Sequence, residues 1–123
     1  MLYKYKSFSK ADRKILVSLV EVSIKREIDT FLHRTLNYYQ SMLKKEHEDI
    51  RKPYWKLEGK FSTFSKHLTE EYDGWTHTYL PSKIVLWWLD GHLKEEDIET
   101  FSLEGQDKLR QMRKSIEELR AEE

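Results

Sequence analysis

The sequence predicts an all-α protein: a compact bundle of four to five helices, one or two of them long, with a possible short extended segment at the N-terminus. Apolar side chains recur at helical spacing through most of the 123 residues. The chain has only four glycines and two prolines, and neither type occurs between Lys10 and Lys52, so few positions would break a helix. We expect a single helical domain over residues 1–123, since this length is common for one domain.

The N-terminal segment alternates aromatic residues with lysines over residues 2–8. A period of two suits a short extended segment, although a loose tail would fit the same residues. Ser9 then offers an oxygen for a helix N-cap. Asp12 follows three residues later, where a carboxylate can reach back as in a capping box. We therefore expect the first helix to begin at Lys10.

The first helical region changes character along its length. Residues Ile15–Ile24 are apolar nearly all round, which predicts burial on most sides, although their β-branched content leaves a buried strand open. One helical stripe then follows, formed by Ile28, Leu32, Leu36, Tyr39 and Leu43. A single helix over 10–48 would be about 58 Å long. It would therefore either break near Asp29–Thr30 or project and find a partner along its length.

The second helical region begins near Pro53, because proline is well placed in a first helical turn. Its stripe is the clearest in the chain: Tyr54, Leu57, Phe61, Phe64, Leu68 and Tyr72. Gly59 lies inside it and predicts a close helix contact, and Gly74 is placed to end the helix in a left-handed conformation.

The C-terminal part reads as a loop over 75–80 followed by short helices. Ile84–Leu89 is a continuous apolar run after Pro81, and it fits a buried helix, which we favour, or a buried strand. Residues 93–101 predict a short helix with an acidic first turn. After an interruption at Gly105, an amphipathic helix is expected to carry Leu109, Met112, Ile116 and Leu119.

Composition excludes several classes of function. The 22 basic and 22 acidic side chains balance, so no overall charge favours nucleic acid or membrane surfaces. Without cysteine there is no disulfide scaffold, cysteine nucleophile or thiolate metal site. His67 and Glu70 lie one helical turn apart, but two ligands do not make a metal site. We expect a cytoplasmic protein with no membrane contact, no cofactor, no metal and no catalytic residues.

These patterns favour a non-enzymatic module for protein interaction or self-association. The apolar stripes exceed what a monomer of this size can cover, and such surfaces are typical of subunit contacts. The expected partner is a second copy of the chain or another helical protein.

Two alternatives belong to other classes of function. The spacing of Arg26 and His33 resembles the Arg-x(4–6)-His pattern of HEPN-type helical ribonucleases. That resemblance implies a cation holding a phosphate and an imidazole moving a proton. A nucleic-acid-associated regulator is the related hypothesis, because lysines and aromatic rings alternate near the N-terminus.

The third hypothesis is a small-molecule site around the loop before Pro81. Aromatic side chains that carry a polar atom are concentrated in this region. Ligand pockets combine apolar walls with a few directed polar groups. The residues predicted to bind a ligand are Trp75, His77, Tyr79, Trp88 and His92. The same side chains could instead cap the core, with their polar atoms at its edge.

Overall fold

The structure, a computed structural model, describes residues 2–46 and 49–122. Over this part of the chain it contains five α-helices and no strand. The helices are α1 (Lys10–Lys44), α2 (Arg51–Tyr72), α3 (Leu80–Leu89), α4 (Glu95–Ile98) and α5 (Leu103–Ala121). The prediction of an all-α fold with four to five helices, one or two of them long, is confirmed.

The chain divides into two units. One, here called the core unit, is formed by Met1–Ile24 and Trp75–Glu123, and the other, here called the hairpin, by Lys25–Gly74. Helix α1 contributes residues to both. A single domain over residues 1–123 stays a prediction.

The core unit holds nearly all of the buried apolar side chains that the structure describes. Trp87, Leu16 and Ile84 are fully buried. The runs Ile15–Ile24 and Ile84–Leu89 are both helical, which answers the choice between helix and strand. The remaining apolar members of this core are Phe8, Leu19, Val20, Leu80, Val85, Trp88, Leu93, Ile98, Phe101, Leu109 and Met112.

The N-terminal segment is extended only in part. Lys4 and Phe8 have extended backbone angles, but Tyr5–Ser7 between them forms a 3-10 turn. The turn is anchored to α5, because the Lys108 amine donates to the Ser7 carbonyl. Phe8 is buried beside it. The period-two pattern therefore reflects alternate packing and exposure of side chains along a turn and not strand pairing.

The N-termini of α1 and α5 share one carboxylate. The Asp12 N–H donates to Ser9 Oγ over 3.2 Å, so Ser9 acts as the predicted N-cap. The Asp12 carboxylate does not reach back; it accepts from the backbone N–H of Ser102 over 2.9 Å and from the Ser102 hydroxyl. Ser102 in turn caps α5 by accepting from Gly105 N–H. Gly105 thus lies in the first turn of α5 and does not interrupt it.

Helix α1 continues without a break at Asp29–Thr30, so the first of the two sequence alternatives is wrong. This stretch has no proline to remove a helical hydrogen bond and no glycine to weaken the helix through backbone entropy. Helix α2 begins at Arg51, two residues before Pro53, because an N–H in the first helical turn has no intrahelical partner to lose. Gly74 follows α2 with a φ of 77°, as predicted for a left-handed end.

Candidate functional site

The hairpin is held along its inner side by aromatic rings. The Phe31 ring on α1 stacks on that of Phe64 on α2, with centroids 3.9 Å apart and planes 4° from parallel. Phe61 meets the same ring edge-on at 5.3 Å. Farther along, Tyr38 lies against Lys60. The two helices therefore run antiparallel, because the later residue of α1, Tyr38, contacts the earlier residue of α2, Lys60.

A polar network joins the N-terminal part of α1 in the hairpin to the C-terminal part of α2. Glu27 is buried, and its two carboxylate oxygens are paired with His67 Nε2 and the Tyr72 hydroxyl. The Tyr72 bond is 2.6 Å long. A buried carboxylate is tolerated only when it is paired and hydrogen-bonded. His67 therefore has its partner on α1, whereas Glu70 lies 4.0 Å from Lys66.

Little of the hairpin's apolar surface is covered. Among the residues described there, Tyr72 is the only large apolar side chain classed as buried. Eight others are exposed, and one of them, Trp55, has the Arg51 guanidinium 6.0 Å from its ring centroid. A pair of helices owes most of its stability to burying an amphipathic face. The hairpin thus lacks the core that the other unit has.

Seven of these exposed residues form what we call the apolar face, and each is 42–61% exposed. On α1 and α2, and just before α2, they are Leu32, Leu36, Tyr39, Leu43, Ile50, Tyr54 and Phe61.

Helical geometry places the apolar face to one side of the aromatic contact. Leu32 follows Phe31 by one residue, which turns it about 100° from the row that meets α2. Leu36, Tyr39 and Leu43 extend the same stripe. On α2, Phe61 is turned about 60° from Phe64, and in antiparallel helices these rotations lead to the same side. The stripe that the sequence predicts is therefore real, but it points outward.

Charge is sparse beside the α1 part of this face. Between Thr30 and Leu43 the chain has one charged residue, Arg34, although 36% of the whole chain is charged. Depletion of charge together with exposed Tyr, Phe and Leu is typical of the centre of a protein–protein interface. The α1 part of the face therefore combines the composition of an interface with the exposure of a surface.

The structure brings together two of the five predicted ligand-binding residues. In the core unit, the His77 ring lies 5.1 Å from that of Trp75 and 5.1 Å from that of Tyr5. Tyr79 is exposed, and His92 is half-buried. Trp88 is buried, with the Arg113 guanidinium 4.3 Å from its ring. A small-molecule site at these residues stays a prediction.

Arg26 and His33 lie on one face of α1, two helical turns or about 10 Å apart along the axis. His33 is exposed, and its Nδ1 donates to the Asp29 carbonyl over 2.8 Å. The ribonuclease hypothesis stays a prediction.

A charged cluster joins α4 to α5 in the core unit. The Arg110 guanidinium donates to the Glu95 carboxylate, and this hydrogen bond holds the pKa of Glu95 below its usual value. Arg113 adds a weaker favourable field. Both arginines also lie over the ring of Trp88 on α3.

Two further properties of the described residues concern metal ions and membranes. Within residues 2–46 and 49–122, no three acidic or histidine side chains converge in a way that could hold a metal ion. None of the described helices has both the length and the apolar character needed to cross a bilayer.

Comparison with known proteins adds no further information: no family model matches the chain, and no curated protein or solved structure is significantly similar to it.

Proposed function

We propose that the chain is a self-association module whose apolar face pairs with the same face of a second copy. The observation that carries this proposal is the uncovered stripe on the hairpin, where large apolar side chains remain about half exposed. Exposed apolar patches of several hundred Å² on a protein surface mark interaction sites.

The area supports a two-chain interface. If a fully exposed large apolar residue presents about 200 Å², the exposed fractions of the seven residues sum to roughly 700 Å². Each partner in a standard interface buries about 800 Å². One copy of the face is therefore close to what one protomer of a dimer contributes.

A second copy fits this face better than a partner of different chemistry. The α1 part of the face is nearly charge-free and needs no complementary charge on its partner, and an apolar row is complementary to itself. Two-fold pairing of identical patches is the commonest arrangement among homo-oligomers. The interface would then be formed by two hairpins, with Tyr39, Tyr54 and Phe61 as its aromatic anchors.

Cysteine cross-linking tests the pairing directly, because the natural chain contains no cysteine. Single cysteines are introduced at Leu32, Leu36, Tyr39 and Leu43 in turn. Residues near a two-fold axis face their own copies, so at least one of these variants is expected to form a disulfide-linked dimer under mild oxidation.

The matched control is Leu103→Cys, since Leu103 is an exposed leucine outside the hairpin. It is expected to remain monomeric on a non-reducing gel. Equal cross-linking of Leu103→Cys and the four face variants would mean random collision and would contradict the proposal, as would no cross-linking at any of the four.

A further inference from the structure

The hairpin carries a second surface feature on the side away from the apolar face. A cleft of about 720 Å³ opens between α1 and α2, within the range of small-molecule sites. The residues that matter for its chemistry are Phe31, Arg34, Tyr38, Lys56, Lys60 and His67. Relative to the Phe31–Phe64 contact, the charged residues of the cleft lie on the opposite side of the hairpin from the apolar face.

Positive charge is concentrated in this cleft. Lys56 and Lys60 lie one turn apart on α2, and their amines sit 5.8 Å and 5.0 Å from the centroid of the same Tyr38 ring. Like charges at this spacing destabilise a helix. Arg34 adds a third cation from α1. No carboxylate lines the cleft, and none of the three cations forms an ion pair with a residue that the structure describes.

The buried carboxylate of the hairpin, Glu27, is already paired. Glu27 has one carboxylate oxygen on His67 and the other on the Tyr72 hydroxyl. His67 borders the cleft while being held by this carboxylate. The three cations are therefore left to interact with Tyr38, solvent or an anion from outside the chain.

Flat apolar walls complete the cleft. The stacked pair Phe31 and Phe64 forms part of its lining, and Tyr38 forms another part. The rim is open at Gly59, because a Cβ built there meets no atom within 4 Å. Cations beside aromatic surfaces suit a ligand that is both anionic and flat.

We propose that this cleft binds a small phosphorylated aromatic ligand of the nucleotide class. Lys56, Lys60 and Arg34 would hold the phosphate through charge-assisted hydrogen bonds, and the ring would pack against Tyr38 and Phe31. A single mononucleotide fits better than a nucleic-acid strand, since the cations span only about two helical turns and the chain has no net charge. This inference does not depend on self-association.

The test is a titration of the whole chain with adenosine monophosphate, followed by the aromatic NMR resonances of Tyr38 and Phe31. Adenosine, inorganic phosphate and a single-stranded oligoadenylate are titrated in parallel. The nucleotide is expected to shift these resonances saturably and to bind at least about tenfold more tightly than adenosine or phosphate alone, because both parts of the site contribute.

Variants separate the cleft from general surface charge. The double variant K56Q/K60Q is expected to weaken nucleotide binding about tenfold or more, whereas K66Q, which removes an exposed lysine of α2 outside the cleft, leaves it unchanged. R34Q provides an independent variant on α1 if the double substitution alters the helical circular-dichroism spectrum.

Three results would overturn the inference. The first is the absence of saturable shifts at millimolar nucleotide. The second is an equal loss of affinity in K66Q and K56Q/K60Q. The third is markedly tighter binding of the oligonucleotide than of the mononucleotide, which would assign the cleft to a nucleic-acid strand.

Discussion

At the scale of single residues, Asp12 shows how one side chain can serve two helices. Its backbone N–H donates to Ser9 Oγ, which caps α1, and its carboxylate accepts two hydrogen bonds from Ser102 at the start of α5. A negative charge near the N-terminus of α5 also interacts favourably with the helix dipole. The side chain is only 2% exposed, so these bonds form largely out of water and hold the two N-termini together.

Two glycines give opposite predictions for the same substitution. Gly59 lies within α2 with open space around it, so Gly59→Ala is expected to raise the free energy of unfolding by about 0.5–1 kcal/mol through lower chain entropy. A Cβ on Gly105 would come 3.0 Å from Asp12 Cγ and closer still to its Oδ2. Gly105→Ala is therefore expected to cost about 1–3 kcal/mol.

Urea denaturation of both variants at one protein concentration measures the two changes. If Gly105→Ala were as stable as Gly59→Ala, the close packing of the Asp12 carboxylate on α5 would be wrong. The sequence-based expectation of a close helix contact at Gly59 is itself corrected here, because the structure places that contact at Gly105.

At the scale of elements, α4 is tied to α5 by the Glu95–Arg110 pair. Since the pKa of Glu95 is lowered in the folded chain, the pair stabilises the fold above the unfolded-state pKa of this group. That contribution is lost as the pH falls through the lowered folded value. Glu95→Gln is thus expected to melt below the wild type at neutral pH and alongside it in acid.

The control for this prediction is Glu96→Gln, which removes a neighbouring carboxylate from the same first turn of α4. It separates the ion pair from the general effect of acidic residues at a helix start. Thermal melting at neutral and acidic pH compares the two variants. The predicted role of Glu95 would be contradicted if both lowered the melting temperature equally at neutral pH.

The sequence predicted helices well because the period of apolar residues and the capping residues are local properties. Ser9 and Gly74 lie where their chemistry requires. The same period could not show what covers a stripe: Leu36 has the spacing of a core residue yet is half exposed. A helical period identifies a face, whereas burial depends on which element lies against it.

The candidate sites were harder to predict for the same reason. His67 was considered with Glu70, one turn away, but its partner Glu27 lies 40 residues earlier in the chain. The cleft combines Arg34 and Tyr38 with Lys56 and Lys60, and only the antiparallel register of α1 and α2 brings these residues together. The one sequence feature that could have indicated the cleft is the pair of lysines, Lys56 and Lys60, four residues apart on a predicted helix.

At the scale of the whole molecule, apolar burial is distributed unevenly between the two units. The core unit contains 14 of the 15 apolar residues described as buried, and the hairpin contains one, Tyr72. The hairpin nevertheless carries eight of the twelve large apolar residues described as exposed. A unit with this balance gains stability from association, which is the physical basis of the proposed self-pairing.

If a second copy covers the apolar face, the chain is a dimer in solution, and sedimentation velocity at micromolar concentration measures this. The wild-type chain is expected to sediment as a species of twice its 15.0 kDa mass. L36E/L43E, which places two like charges on the face, is expected to sediment as a monomer with unchanged helix content, and L103E as a dimer. A wild-type chain that remained a 15.0 kDa monomer across this range would contradict the account.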